Sequence, residues 1–373
     1  MTDYSLYTAP GISDLQPYVP GKPLEELERE LGLSDTLKLA SNENPLGPSP
    51  MGVEAAARVL SDINLYPDDN GFRLKNTLAA RYGLSAEHLV LGAGSSDVID
   101  MVARTFLAPG RNAVFSQYAF AMYPIYTTAA GAQCRVAPAL PADHPQMPYG
   151  HDLQAMDALV DTDTRVVFIA NPNNPTGTWV EAGALYDFLR KLPSWVVVVL
   201  DEAYTEYVML ADFPNGLDWL EEFPNLIVTR TFSKIYGLAG LRVGYGLANP
   251  ELIRWISRVR HPFNVNSVAL AAAEAALQDD EFLQRSRALN AAGLEQLTQG
   301  LTRMGLQVIP SIGNFISVNV QRDGSDVYQE LLRRGVIVRP VANYAMPEFI
   351  RVSVGTEQEN RRFLSALGEV LGA

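Results

Sequence analysis

The chain has 373 residues, 47% of them hydrophobic and 19% charged, a globular balance that excludes a disordered, collagenous or coiled-coil protein. Its 29 basic residues face 42 acidic ones, a formal net charge of -13, so the bulk surface repels a nucleic-acid backbone and no nucleic-acid partner is expected. Cys134 is the single cysteine, which excludes an intrachain disulfide and a cysteine-built zinc site, and the four scattered histidines fit no HExxH pattern, so no metal is expected.

The first 50 residues are rich in Pro and Gly around one helical stretch at 24–31 and read as an arm. They show no basic-then-apolar leader pattern, and the longest apolar runs are far below the ~20 residues of a membrane helix. A cytoplasmic protein without a membrane partner is the expectation. From about residue 54, helical patterns alternate with short apolar runs at 89–92, 112–116, 165–170, 195–200 and 226–229. The runs Val166-Val167-Phe168-Ile169 and Val196-Val197-Val198-Val199-Leu200 have no polar alternation, as strands buried on both faces of a parallel sheet require. Helical candidates lie between them, at 97–107 and 182–192. Strand and helix in alternation predict an α/β sandwich. After Pro250 come helices at 251–261, 267–277 and 280–304, then strands at 307–310 and 315–320. A helix at 326–334, strands at 336–339 and 349–354, and a last helix from Glu357 complete a smaller α+β unit. The expected division is an arm at 1–50 contributing to the small domain, a large domain at 51–275 and a small domain at 276–373.

Open α/β sheets gather their sites at the carboxyl ends of the strands. The first run ends in Gly92-Ala93-Gly94-Ser95-Ser96-Asp97 and enters a helix directly; glycines, hydroxyls and a helix N-terminus together suit an anion. The stretch is also half of a dinucleotide fingerprint, with Asp97 where GxGxxG needs its last glycine. The run at 165–170 ends in Asn171-Pro172-Asn173-Asn174-Pro175-Thr176-Gly177, a rigid turn. The next ends in Asp201-Glu202-Ala203-Tyr204, where a carboxylate after five buried apolar residues needs a partner. The run at 226–229 leads to Arg230-Thr231-Phe232-Ser233-Lys234, then to a Gly-rich stretch containing Arg242. Of five lysines, Lys234 alone follows a buried-type strand, the setting that lowers a lysine pKa and makes it a nucleophile towards an aldehyde. A lysine, a buried carboxylate, a phenol, an amide and a phosphate cradle are the parts of a pyridoxal 5'-phosphate site.

Asn174-Pro175-Thr176-Gly177, Asp201-Glu202-Ala203-Tyr204 and Thr231-Phe232-Ser233-Lys234, with Arg242 eight residues on, resemble the fold type I aminotransferases in order and spacing. Within them the chain is most similar to the histidinol-phosphate aminotransferase family. That likeness extends to Leu15-Gln16-Pro17-Tyr18, Leu39-Ala40-Ser41-Asn42-Glu43-Asn44-Pro45 and Tyr66-Pro67, and near the C-terminus to Gly335-Val336-Ile337-Val338-Arg339-Pro340 and Ile350-Arg351-Val352-Ser353-Val354-Gly355. The resemblance implies a large domain with a mostly parallel sheet, a smaller α+β domain and pyridoxal 5'-phosphate as cofactor. It makes Lys234 the lysine bonded to the cofactor, Asp201 the partner of the pyridine nitrogen, and Tyr204 and Asn174 the partners of the ring oxygen. Gly94, Ser95, Ser96, Thr231, Ser233 and Arg242 would hold the phosphate. Tyr118 would stack on the ring, with Phe120 or Tyr123 as substitutes, because no proline precedes Tyr118 here. Tyr66 would reach the cofactor phosphate of a second subunit, which implies a homodimer. Tyr18, Asn44, Arg339 and Arg351 would bind substrate.

The implied reaction moves an amino group between histidinol phosphate and 2-oxoglutarate, with glutamate as the other amino donor. One anion pocket must then take a phosphate or a carboxylate, and a guanidinium fork suits both. Rival expectations are an aromatic aminotransferase and a phosphothreonine-type decarboxylase of the same fold. A nicotinamide-dependent dehydrogenase would leave Lys234, Asp201 and Asn174 without a task.

Overall fold

The computed structural model describes residues 2–17, 20–33 and 35–372, so Tyr18 lies outside the described residues. Its centre is a seven-stranded sheet ordered Leu89–Gly92, Gly244–Ala248, Leu226–Thr231, Val197–Asp201, Thr164–Ala170, Asn112–Ser116, Gln133–Ala137. All neighbours run parallel except Gly244–Ala248, which is antiparallel to both of its partners. The unalternated apolar runs are explained by two covering layers. Val166 and Phe168 face a core with the helix Ser95–Phe106, while Val167 and Ile169 face another with the helix Ala182–Lys191.

A second, antiparallel sheet has the order Arg339–Pro340, Phe349–Ser353, Phe315–Asn319, Gln307–Ile309. Beside it Leu37–Lys38 pairs in parallel with Val336–Ile337, so this part of the arm is built into the second sheet's core through Leu37 and Leu39. The last helix, Glu357–Leu371, opens on a capping box of Thr356 and Glu359. The 24-residue helix Asp280–Arg303 serves both cores: Leu283 packs under the large sheet, Leu297 and Leu301 under the small one. Among the described residues no helix is long and apolar enough to cross a membrane.

Four elements differ from expectation. The run at 195–200 starts two residues later, because a turn bonding Val196 to Pro193 leaves Trp195 outside, 55% exposed. The stretch 336–339 is split between two sheets, Val336–Ile337 meeting the arm and Arg339–Pro340 meeting Phe349–Ser353. Gln133–Ala137 is an edge strand, largely solvent-facing and so without an apolar signature. Gly244–Ala248 is a fully buried strand although its glycines suggest a loop. They admit the helix Ser95–Phe106: a Cβ on Gly246 would lie 2.8 Å from Val98 Cγ1, and one on Gly244 would strike the amide of Ser95.

Candidate active site

The carboxyl ends of the central strands open on a cavity of about 330 Å³, lined among others by Ser95, Ser96, Asn174, Asp201, Tyr204, Thr231, Ser233, Lys234, Arg242 and Arg351. Ten residues expected at the site from separate stretches of sequence therefore meet in one place.

At one end is an anion cradle. Gly94 caps the 12-residue helix Ser95–Phe106 at φ +89, and a Cβ there would collide with Arg242 Nη2. Only glycine lets that guanidinium close on the helix N-terminus. Arg242 donates to Ser233 Oγ at 3.3 Å and to the Ala93 carbonyl at 3.4 Å. Asp97 braces the turn from below, accepting from the Ala93 amide at 2.9 Å and from Asn264 at 2.7 Å.

Asp201 ends its strand with the carboxylate buried. Thr229, its register partner on the next strand, donates to Oδ1 at 3.1 Å, and Tyr123 donates to Oδ2 at 3.0 Å. Burial outweighs these bonds and pushes the carboxyl up to about 6. Lys234 Nζ donates to the Ser41 carbonyl at 3.2 Å and lies 5.7 Å from the centre of the Tyr204 ring. Burial, then the charge of Arg351, pushes its ammonium down to about 8. Tyr204 is buried, accepts from Asn42 Nδ2 at 2.9 Å, and is held above the usual phenol range by burial. Arg351, also buried, donates to Asn174 Oδ1 and to the Ala40 carbonyl at 2.7 Å, with its guanidinium 5.4 Å from the Phe315 ring.

Four expected residues stand elsewhere. Arg339 pairs directly across from Arg351 in the small sheet but lines a neighbouring cavity of about 580 Å³ with Leu15, Pro17 and Tyr344. Asn44 is spent on the fold: Nδ2 donates to Ile235 O at 2.8 Å and to Ser286 at 2.9 Å, while Oδ1 accepts from the Leu46 amide. Tyr118 turns away to meet Tyr149 edge-on at 5.5 Å and packs near Ile309, Tyr344 and Phe349. Phe120, two residues on, is the aromatic side chain from that segment that lines the cavity. Tyr66 is 82% exposed, stacked on Phe263 at 4.6 Å and away from this chain's own cavity. Conversely, Asn42, Glu43, Tyr123 and Thr229 surround the site without having been singled out for these roles. Asn42 sits at φ +55, a conformation asparagine tolerates well, but nothing in its neighbourhood distinguishes it from Asn44 in one dimension.

The sequence profile of the class I and II aminotransferases matches residues 34–367. The chain is 56% identical over 373 residues to histidinol-phosphate aminotransferase 2 of Pseudomonas aeruginosa, covering 100% of this chain and 99% of that one. It is 53% identical over 363 residues to histidinol-phosphate aminotransferase 1 of Nitrosococcus oceani, covering 97% and 96%. Among solved structures, that of histidinol-phosphate aminotransferase from Sinorhizobium meliloti in complex with pyridoxal-5'-phosphate superposes with a TM-score of 0.86 at 29% identity, covering 94% of this chain and 95% of that one.

Proposed function

The chain belongs to the class I and II aminotransferase family, and on that premise we propose that it moves an amino group between L-histidinol phosphate and 2-oxoglutarate, giving imidazole acetol phosphate and glutamate, in histidine biosynthesis. The observation that carries the substrate is the buried guanidinium of Arg351 on the cavity that holds Lys234, with Arg339 directly across from it on the adjacent antiparallel strand and lining the neighbouring cavity. Side chains paired in this way lie on one face about 5 Å apart at Cβ.

The residues fit pyridoxal 5'-phosphate. The cradle that a Cβ on Gly94 would fill, with the hydroxyls of Ser95, Ser96, Thr231 and Ser233 and the guanidinium of Arg242, suits a phosphate monoester. The buried Asp201 suits a protonated pyridine nitrogen, Tyr204 and Asn174 suit the ring oxygen, and Phe120, which lines the cavity where Tyr118 does not, suits stacking on the ring. When bound, the cofactor supplies an electron sink for the charge left at the substrate's α-carbon when its proton leaves. Lys234 would hold the cofactor through its aldehyde carbon, and its Nζ, once freed by the amino donor, would take the proton that leaves the substrate's α-carbon and return it on the far side of the donor nitrogen. With its ammonium destabilised, a fraction of the amine is already free base near neutral pH. Arg351 would orient the substrate's anion, and Asp201 would hold its charge against the ring nitrogen.

Tyr66, exposed in the single chain, is assigned to the cofactor phosphate of a second subunit in a cytoplasmic homodimer. The test is steady-state transamination with 2-oxoglutarate as acceptor. Histidinol phosphate should exceed phenylalanine and tyrosine in kcat/KM by at least about tenfold, the discrimination that one lost charged contact brings. Equal efficiency on the aromatic amino acids would favour the aromatic aminotransferase instead.

A further inference from the structure

The geometry assigns Tyr123 as a positioning residue for Asp201: its hydroxyl, together with that of Thr229, fixes the carboxylate plane and holds the group as an anion where it meets the ring nitrogen. The assignment rests on the reading of Asp201 given above.

Tyr123 lies on the helix Met122–Ala129, fully buried. Its ring stacks flat on Phe168, with centroids 4.7 Å apart and planes 8° apart, and Phe120 meets it edge-on at 5.8 Å. Phe115 closes a further side at 6.4 Å. Such a ring cannot turn, so its hydroxyl is aimed, and it is aimed at Asp201 Oδ2. Thr229 is equally fixed, being the register neighbour of Asp201 in the sheet. Each carboxylate oxygen thus receives one donor from a rigid element, and the orientation facing the cavity is set before any ligand arrives.

The same bonds decide the charge. The ionisable groups facing Asp201 are Glu202, whose charge opposes its ionisation, Lys234, whose charge favours it, and the phenols of Tyr123 and Tyr204. Glu202 is committed to Arg230 through contacts of 2.6 and 3.0 Å. Burial is the largest influence and favours the neutral acid; the hydroxyls of Tyr123 and Thr229 oppose it. A neutral Asp201 could not hold a proton on the ring nitrogen, so loss of a donor should be felt as loss of turnover more than of substrate binding.

Tyr123→Phe keeps the ring, its volume and its stacking, and removes the hydroxyl alone. In the holoenzyme it should lower kcat about tenfold with KM for both donors little changed, the scale of one hydrogen bond to a charged group. The acid limb of the kcat profile should move up by about one pH unit. Thr229→Val should do the same and Thr229→Ser should not. A second readout needs no cofactor. A carboxyl whose folded pKa is raised loses its stabilising contribution as pH rises through that pKa. The apo-protein of Tyr123→Phe should therefore fall further below wild type in Tm at pH 8 than at pH 5, and this pH-dependent gap should vanish in an Asp201→Asn background. A Tyr123→Phe enzyme with the wild-type pH profile and a constant Tm offset, beside a crippled Asp201→Asn, would show Tyr123 to be core packing and overturn the assignment alone. Asp201→Asn with wild-type turnover and cofactor affinity would overturn the reading of Asp201 itself.

Discussion

The amine of Lys234 is held near 8 because both burial and Arg351 disfavour its cation. Only the free amine attacks an aldehyde, so attachment of pyridoxal phosphate to the apo-protein should quicken with rising pH and level off above about 8, as followed by visible absorption. Removing the charge in Arg351→Ala should move that midpoint upward. Lys234→Ala should lose the visible band of lysine-bound cofactor and at least ~10²–10⁴-fold of turnover, with its far-UV spectrum unchanged. Arg351→Lys should damage both half-reactions. A point charge cannot reproduce the fork's paired bonds, each contributing ~1.5–3 kcal/mol, so kcat/KM should fall by about one to two decades while cofactor affinity holds. Arg339→Lys should hurt histidinol phosphate more than glutamate, because phosphate offers a third oxygen; equal losses on both donors would reduce Arg339 to a strand-end charge. At this scale the sequence tells which residue types stand at strand ends, and so Lys234, Asp201 and Arg242 are legible. Direction is not. Asn42 and Asn44 differ by two positions in one loop, and only the folded path turns the first towards Tyr204 and the second towards Ile235.

Strands with both faces covered announce themselves as unbroken apolar runs, which is why Thr164–Ala170 and Leu226–Thr231 are readable within two residues. Gly244–Ala248 is not, because its selection is for the absence of side chains. Val98, Ile227 and Val90 would lie 2.8, 3.0 and 3.2 Å from a Cβ on Gly246. Gly246→Val should therefore cost about 1–3 kcal/mol or more in urea unfolding of the apo-protein through overpacking. It should also weaken cofactor binding, since the displaced helix Ser95–Phe106 carries Ser95 and Ser96 at its N-terminus. A variant with unchanged stability would mean that this helix has room to retreat.

Across the whole chain, the order of the strand-end motifs gave away the architecture, whereas the homodimer proposed above would leave only the trace of apolar residues exposed in a single copy. Ile63, Leu65, Tyr66 and Phe72 are each more than 60% exposed, a cluster along the chain that a second subunit would cover. If Tyr66 serves the neighbouring site, mixing and refolding an inactive Tyr66→Ala chain with an inactive Lys234→Ala chain should restore up to about a quarter of wild-type activity, through heterodimers holding one intact site. No recovery would place Tyr66 outside the site. The helix Asp280–Arg303 has a consequence for ancestry as well as architecture. Because one unbroken rod lends Leu283 to the large sheet and Leu297 and Leu301 to the small one, a recombination crossover between 283 and 297 would leave each core its own parent's wedge, whereas a junction in the loop on either side would give one core a foreign wedge. Chimaeras between relatives of this chain should therefore unfold at higher urea when the junction falls between 283 and 297 than when it falls in the loop before 280 or after 303, so that each half of the helix descends with the sheet it packs against.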